Sequence, residues 1–195
     1  MTNLVYDYET LSTDVTEAPV LSLACLRYDE SRFASDKPYS FDELLNATRF
    51  YKFSIAAQIT KYGRVINKDT LAWWGSLPIA LREAQMSPME SDLSITELPD
   101  ILKEDAKGTD RIFTRGNTFD PMITTSLCKT LGVAEPYQWW NIRDTRSYIE
   151  GLSYGAEIKN SFMPEGLEGK FVMHDPQHDI VVDVLRMQEL IKFIS

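Results

Sequence analysis

Asp7 and Glu9 are acids separated by a single residue, directly after the apolar run Leu4-Val5-Tyr6. On a β-strand the side chains alternate between faces, so both carboxylates point the same way, about 6.5 Å apart at their backbones. Two acids aimed at one point repel unless a cation lies between them or one keeps a proton. Such a pair is half of a site for a hard divalent metal. The plainer alternative is an edge strand with acids facing water, so the question is whether partners occur downstream.

Two candidates do. His174-Asp175-Pro176-Gln177-His178-Asp179 leads into Ile180, Val181, Val184, Leu185, Leu190 and Ile191, spaced like the apolar stripe of a helix. Asp175 suits the N-cap and Pro176 the first helical position. That leaves His174 just ahead of the helix and Asp179 in its first turn. His178 and Asp183 have the same separation, but inside a helix they lie about 140° apart around the axis and cannot converge. Further upstream, Arg111 to Gly116 reads as a strand, Gly116-Asn117 as a turn, and Phe119 onward as a helix through Leu131 that ends at Gly132. Asp120 then sits in the first turn of that helix, where an acid is also simply a good partner for the helix dipole.

In order and rough spacing, Asp7-x-Glu9-Thr10, Gly116-Asn117-Thr118-Phe119-Asp120 and His174-x4-Asp179-Ile180 resemble the three motifs of the DEDDh 3′–5′ exonuclease superfamily. Asp69-Thr70-Leu71-Ala72-Trp73-Trp74 and Trp139 to Arg146 are similar to segments of a subgroup with phage exonuclease A-type enzymes and a mycobacterial 3′–5′ exoribonuclease. The likeness runs from Leu4 to about Ile191. Some positions depart from it: Asp175 and Pro176 stand where a small or amide residue and an alanine are usual, His178 where an acid is common, and Pro121 follows Asp120.

The resemblance implies an α/β, ribonuclease H-like mixed sheet with flanking helices, forming one exonuclease domain over residues 1–195. It implies hydrolysis of single-stranded nucleic acid from the 3′ end to nucleoside 5′-monophosphates by a two-metal mechanism. Asp7, Glu9 and Asp179 would hold one Mg²⁺ or Mn²⁺, and Asp7 and Asp120 would reach a second. Oxygen-only ligands suit hard cations rather than zinc. His174, with an ordinary pKa near 6.5, would take the proton of the attacking water. Thr10 and Leu11 are the expected substrate contacts, Leu11 as a wedge against the terminal base. DNA is favoured as the polymer, with exoribonuclease activity as the competitor, and a non-catalytic binding or inhibitor protein on the same fold as a third reading. A homodimer is also allowed.

Composition bounds these readings. At 195 residues and 44% hydrophobic, one domain with a filled core is expected. Cys25 and Cys128 make neither a disulfide framework nor a metal motif and are expected to be buried thiols. No apolar run approaches the roughly 20 residues of a membrane span and no leader is apparent, so the expected location is the cytoplasm, that of the host if the chain is phage-encoded. A net charge of −9 opposes long-range attraction of a polyanion and points to a substrate held by its end. Arg111, Arg115, Arg143, Arg146 and Lys159 are the scattered cations available to meet it.

The positioning elements follow from periodicity. Strands are expected at Leu4 to Glu9, Val20 to Tyr28 and Phe50 to Ile55, with a hairpin loop or insertion between Asp29 and Ser40 and a helical turn at Phe41 to Leu45. Helices are expected at Lys68 to Ser76, Pro78 to Met86, Ile95 to Lys107 and Arg143 to Glu150, besides the two already placed. Trp73 and Trp74 lie about 100° apart on their helix, so at most one fully faces the core. Trp139-Trp140 falls in a loop. Both pairs read as packing or as base-stacking aromatics.

Overall fold

The computed structural model describes residues 1–154 and 158–194. Five strands, β1 (Thr2–Thr10), β2 (Val20–Asp29), β3 (Arg49–Lys52), β4 (Arg111–Thr114) and β5 (Ile142–Asp144), form one mixed sheet in the order β3-β2-β1-β4-β5. β1 pairs antiparallel with β2 and parallel with β4, and β5 extends the parallel edge. The helices are α1 (Phe41–Ala47), α2 (Ile55–Thr60), α3 (Lys68–Ser76), α4 (Ile79–Met86), α5 (Leu98–Ala106), α6 (Asp120–Leu131), α7 (Thr145–Leu152) and α8 (Pro176–Ile194). This is the expected α/β arrangement with helices on both faces.

Alternation along β1 decides which side of the sheet does what. Leu4, Tyr6 and Tyr8 enter a core with Leu98 and Leu102 of α5 and Ile123 and Leu127 of α6. Val5 enters the opposite core with Val181, Val184 and Met187 of α8. Asp7 and Glu9 continue the Val5 side toward the end of the strand, opposite Ala24 and Ser22 of β2. Between Glu9 and Thr10 the register shifts, with Leu21 of β2 as the extra residue. A third cluster, Leu11, Leu21 and Trp74, caps that end of the sheet.

Two elements differ from expectation. The strand expected over Phe50 to Ile55 ends at Lys52, and Ile55 opens α2. Phe53 N still donates to Leu21 O (2.9 Å), but Ser54 N turns away to Leu93 O (2.9 Å), so the chain leaves β2 there. The helix expected from Arg143 starts at Thr145, because Ile142–Asp144 pairs with β4 as a parallel edge strand. The Asp29 to Ser40 stretch contains a 3-10 turn at Glu30–Arg32. Cys25 and Cys128 are buried free thiols. Among the described residues, no helix is long and apolar enough to cross a membrane.

Candidate active site

The two acids of β1 meet the other two at the end of the strand. Asp120, 2% exposed, opens α6, and its Oδ1 accepts from Tyr8 N of β1 (3.1 Å). Hydroxyls support it from behind. Thr124 Oγ1 donates to Asp120 O (3.1 Å) and lies 3.0 Å from Tyr8 Oη, while Tyr6 Oη contacts both Thr124 Oγ1 (3.3 Å) and the Tyr137 hydroxyl. The proline after Asp120, unusual by resemblance, occupies a helical position where no N–H is needed.

From the other face, α8 brings Asp179. Asp175 Oδ1 caps the helix by accepting from Gln177 N (3.0 Å) and His178 N (3.4 Å), with Pro176 in the first turn. The departures at 175 and 176 therefore build the helix start. Asp179 Oδ2 accepts from His174 N (3.2 Å), which fixes the backbone of the histidine to the acid. His174 has φ 66°, a left-handed conformation uncommon for a residue with a Cβ and found where surrounding structure enforces it. Its ring meets Trp73 edge to face, centroids 4.8 Å apart. One ligand atom each from Glu9, His174 and Asp179 lies within 4.8 Å of the others. Asp7 shares a small crevice with Asp179 and Asp183.

The alternative pair does not converge. His178 Nδ1 accepts from Val172 N (3.1 Å) and its ring packs on Phe41, so it pins the loop before α8. Asp183 accepts from Arg115 Nη1 (2.6 Å), Arg186 Nη1 (2.8 Å) and Thr145 Oγ1 (2.5 Å). Asp183, rejected from the sequence as a ligand, and Arg115, read there as a scattered cation, instead form an ion pair beside Asp7 and Asp179. The signal was present, since Asp183 lies four residues after Asp179 and so on the same helix face.

Beside the acids is a cleft of about 490 Å³ bordered by Glu9, Thr10, Asn67, Asp69, Trp73 and Phe119. Trp74 is fully buried and donates from Nε1 to Thr10 O (2.9 Å), whereas Trp73 is 39% exposed and faces the cleft. The two tryptophans thus divide between core and site. Leu11 is a correction. The expected base wedge is 4% exposed, packs with Leu21 and Trp74, and is not among the residues bordering the cleft. Trp73 and Phe119 provide the apolar wall instead. Thr10 does border the cleft, with Oγ1 donating to Ser12 O (2.8 Å).

Crowding governs the charge state. Burial, then repulsion from Asp120, Glu9, Asp179 and Asp183, pushes Asp7 well above the usual carboxylate range. Burial, then Asp179, Asp120 and Asp175, does the same to Glu9. Asp120 is pushed up to about 7 by burial, against the stabilising Tyr8 N–H. Asp179 is pushed up to about 7 by burial and by Asp183, against the His174 N–H. Burial lowers His174. Among the described residues none of the four acids forms an ion pair. Crowded oxygen donors without a cation of the chain's own fit a hard divalent ion.

A stability prediction follows. Raised carboxyl pKa values mean that the folded metal-free chain binds more protons than the unfolded chain between about pH 4 and pH about 7. Stability from these groups is therefore full below that window and is lost as pH rises through it. In chelator, the Tm should fall from pH 5 to pH 8, and added Mg²⁺ or Mn²⁺ should restore it most at the alkaline end. A metal-free Tm that climbs over this range, or an equal metal effect at both ends, would contradict the site.

Known proteins resemble this chain in sequence and in fold. The chain is 28% identical to an exodeoxyribonuclease of Enterobacteria phage T4, over 99% of this chain and 90% of the relative. Among solved structures, exonuclease I from Methylocaldum szegediense superposes with a TM-score of 0.63 at 18% identity, over 99% of this chain and 42% of that one. An E. coli ExoI–ssDNA complex superposes with a TM-score of 0.58 at 16% identity, over 99% and 39% respectively. The chain thus spans about two fifths of the length of those exonucleases, and the likeness shows the ribonuclease H-like fold. The model of the 3′–5′ exoribonuclease Rv2179c-like domain matches residues 2–180. With nearly its whole length matched, this chain belongs to the Rv2179c-like 3′–5′ exonuclease family.

Proposed function

We propose that residues 1–195 act as one domain that removes nucleoside 5′-monophosphates from the 3′ end of single-stranded nucleic acid, DNA in preference to RNA, in the cytoplasm. The observation that carries this reading is the meeting of Asp7 and Glu9 with Asp120 from one side of the sheet and Asp179 and His174 from the other. Asp7, Glu9, Asp120 and Asp179 would hold two Mg²⁺ or Mn²⁺ ions. When bound, such ions acidify a water and neutralise charge on the leaving oxygen. His174 accepts the proton of the attacking water, its ring held by Trp73 and its backbone by Asp179. The terminal nucleotide occupies the cleft, with its base against Trp73 and Phe119.

The phage exodeoxyribonuclease relative supports DNA. Selecting RNA requires groups directed at the 2′ hydroxyl. The family description favours RNA as the second reading. Digestion of 5′-labelled DNA and RNA oligonucleotides, single- and double-stranded, with Mg²⁺ or Mn²⁺ decides between them. The expected product is a ladder shortening from the 3′ end, faster on single-stranded DNA. Faster loss of RNA would reverse the polymer assignment, and internal cuts would refute the exonuclease reading.

A further inference from the structure

The fold sorts the cations scattered through the sequence. Arg111 Nη1 is held by Glu30 Oε2 (3.2 Å), and Arg115 Nη1 by Asp183 Oδ1 (2.6 Å). Arg143 Nη1 donates to the carbonyls of Trp140 (2.6 Å) and Ile142 (2.7 Å). Lys159 lies in the loop after α7. Arg146 is set apart by its place beside the Asp120 turn. It is exposed, and among the described residues its guanidinium has neither an ion pair nor a hydrogen bond.

Its place in the fold is fixed by the backbone. Asp144 Oδ1 caps α7 by accepting from Arg146 N (2.7 Å) and Ser147 N (3.2 Å), while Asp144 Oδ2 accepts from Asn117 N (3.4 Å). One carboxylate thus ties the start of α7 to the turn that delivers Asp120. A Cβ added to Gly116 of that turn, whose φ is 121°, would lie 3.4 Å from Arg146 Nη1. The guanidinium therefore lies over the turn. Local helix energetics do not favour it there, because a cation in the first turn opposes the helix dipole. An unengaged arginine at the rim of an acid cluster, in a chain of net charge −9, matches a ligand that brings its own negative charge.

We propose that Arg146 grips a backbone phosphate of the strand as it enters beside the Asp120 turn. This rests on the exonuclease reading above and adds a phosphate subsite to it. The arrangement reconciles an acidic protein with a polyanionic substrate: one aimed fork replaces a basic groove, and the metal-holding acids stay clear of it.

The test compares wild type, Arg146→Ala and Arg146→Lys on a single-stranded oligonucleotide and on thymidine 5′-(p-nitrophenyl phosphate), which has no inward phosphate. For Arg146→Ala, kcat/KM on the oligonucleotide should fall roughly ten- to a hundredfold, mainly through KM, the scale of one charge-assisted contact. The loss on the ester should be at least about tenfold smaller. The slope of log kcat/KM against log salt should become shallower by about 0.7, the value of one phosphate contact on a single strand. Arg146→Lys should recover the slope but only part of the affinity. An unchanged slope, or equal losses on both substrates, overturns the subsite and makes Arg146 a support for the Asp120 turn. A wild-type chain that cleaves no strand overturns the exonuclease reading as well, so the two failures are distinguishable.

Discussion

Asp7→Asn is expected to lower turnover by about three orders of magnitude or more, since a metal-held transition state is worth several kcal/mol. The same change should raise the thermal stability of the metal-free chain. Asp7 is crowded by Asp120, Glu9, Asp179 and Asp183, and an amide of the same shape removes the repulsion without opening a cavity. Gain of stability with loss of function is the usual signature of a site assembled against the preference of the fold. The measurement is a pair of melting curves, with chelator and with Mg²⁺ or Mn²⁺, beside single-turnover digestion. The variant should melt higher than wild type in chelator and respond less to metal. A variant that melts lower in chelator, or that keeps the full metal response, would show that Asp7 does not share the ion position.

His174→Ala should act on a different step. Loss of a general base typically costs 10² to 10⁴ in rate, so kcat should fall by about that factor while the metal-induced rise in Tm largely persists. The pH profile adds a sign. The imidazole must be neutral to accept a proton, and burial lowers its pKa below the ordinary 6.5. The acid limb of wild-type kcat/KM should therefore lie below pH 6.5, and that limb should vanish in the variant. Full activity in His174→Ala, or an unchanged acid limb, would remove the histidine from the reaction. A glycine at 174 would relieve the left-handed backbone and still lack the ring, so it separates strain from chemistry.

The sequence carried the site further than the fold around it. Asp7 and Glu9 announce a common face through strand alternation, and Asp175-Pro176 marks the start of α8, so His174 and Asp179 can be placed relative to each other. Asp120 was ambiguous alone, since its position also suits a helix dipole, and its buried contact with Tyr8 N depends on residues 112 positions apart. β5 is not legible in the sequence for a related reason. Ile142–Asp144 is too short to show a period, and its hydrogen bonds come from β4, distant in sequence. Leu11 reads as available to a base, but its burial depends on Leu21 of β2 and Trp74 of α3 packing over it, contacts between elements distant in sequence. Trp73 and Trp74 could be recognised as diverging, but which of them faces the cleft depends on how α3 docks.

β1 carries acids for chemistry on one side and tyrosines for the opposite core on the other, on consecutive residues. Substitutions in such a strand act one at a time, but a change in length acts on all of it. Deleting a single residue just upstream of Asp7 would turn the acids toward α5 and α6 and the tyrosines toward α8. A library of variants should therefore accept conservative exchanges at Leu4 or Val5 while rejecting every single-codon insertion or deletion there, and natural length variation among relatives should fall outside Thr2–Thr10.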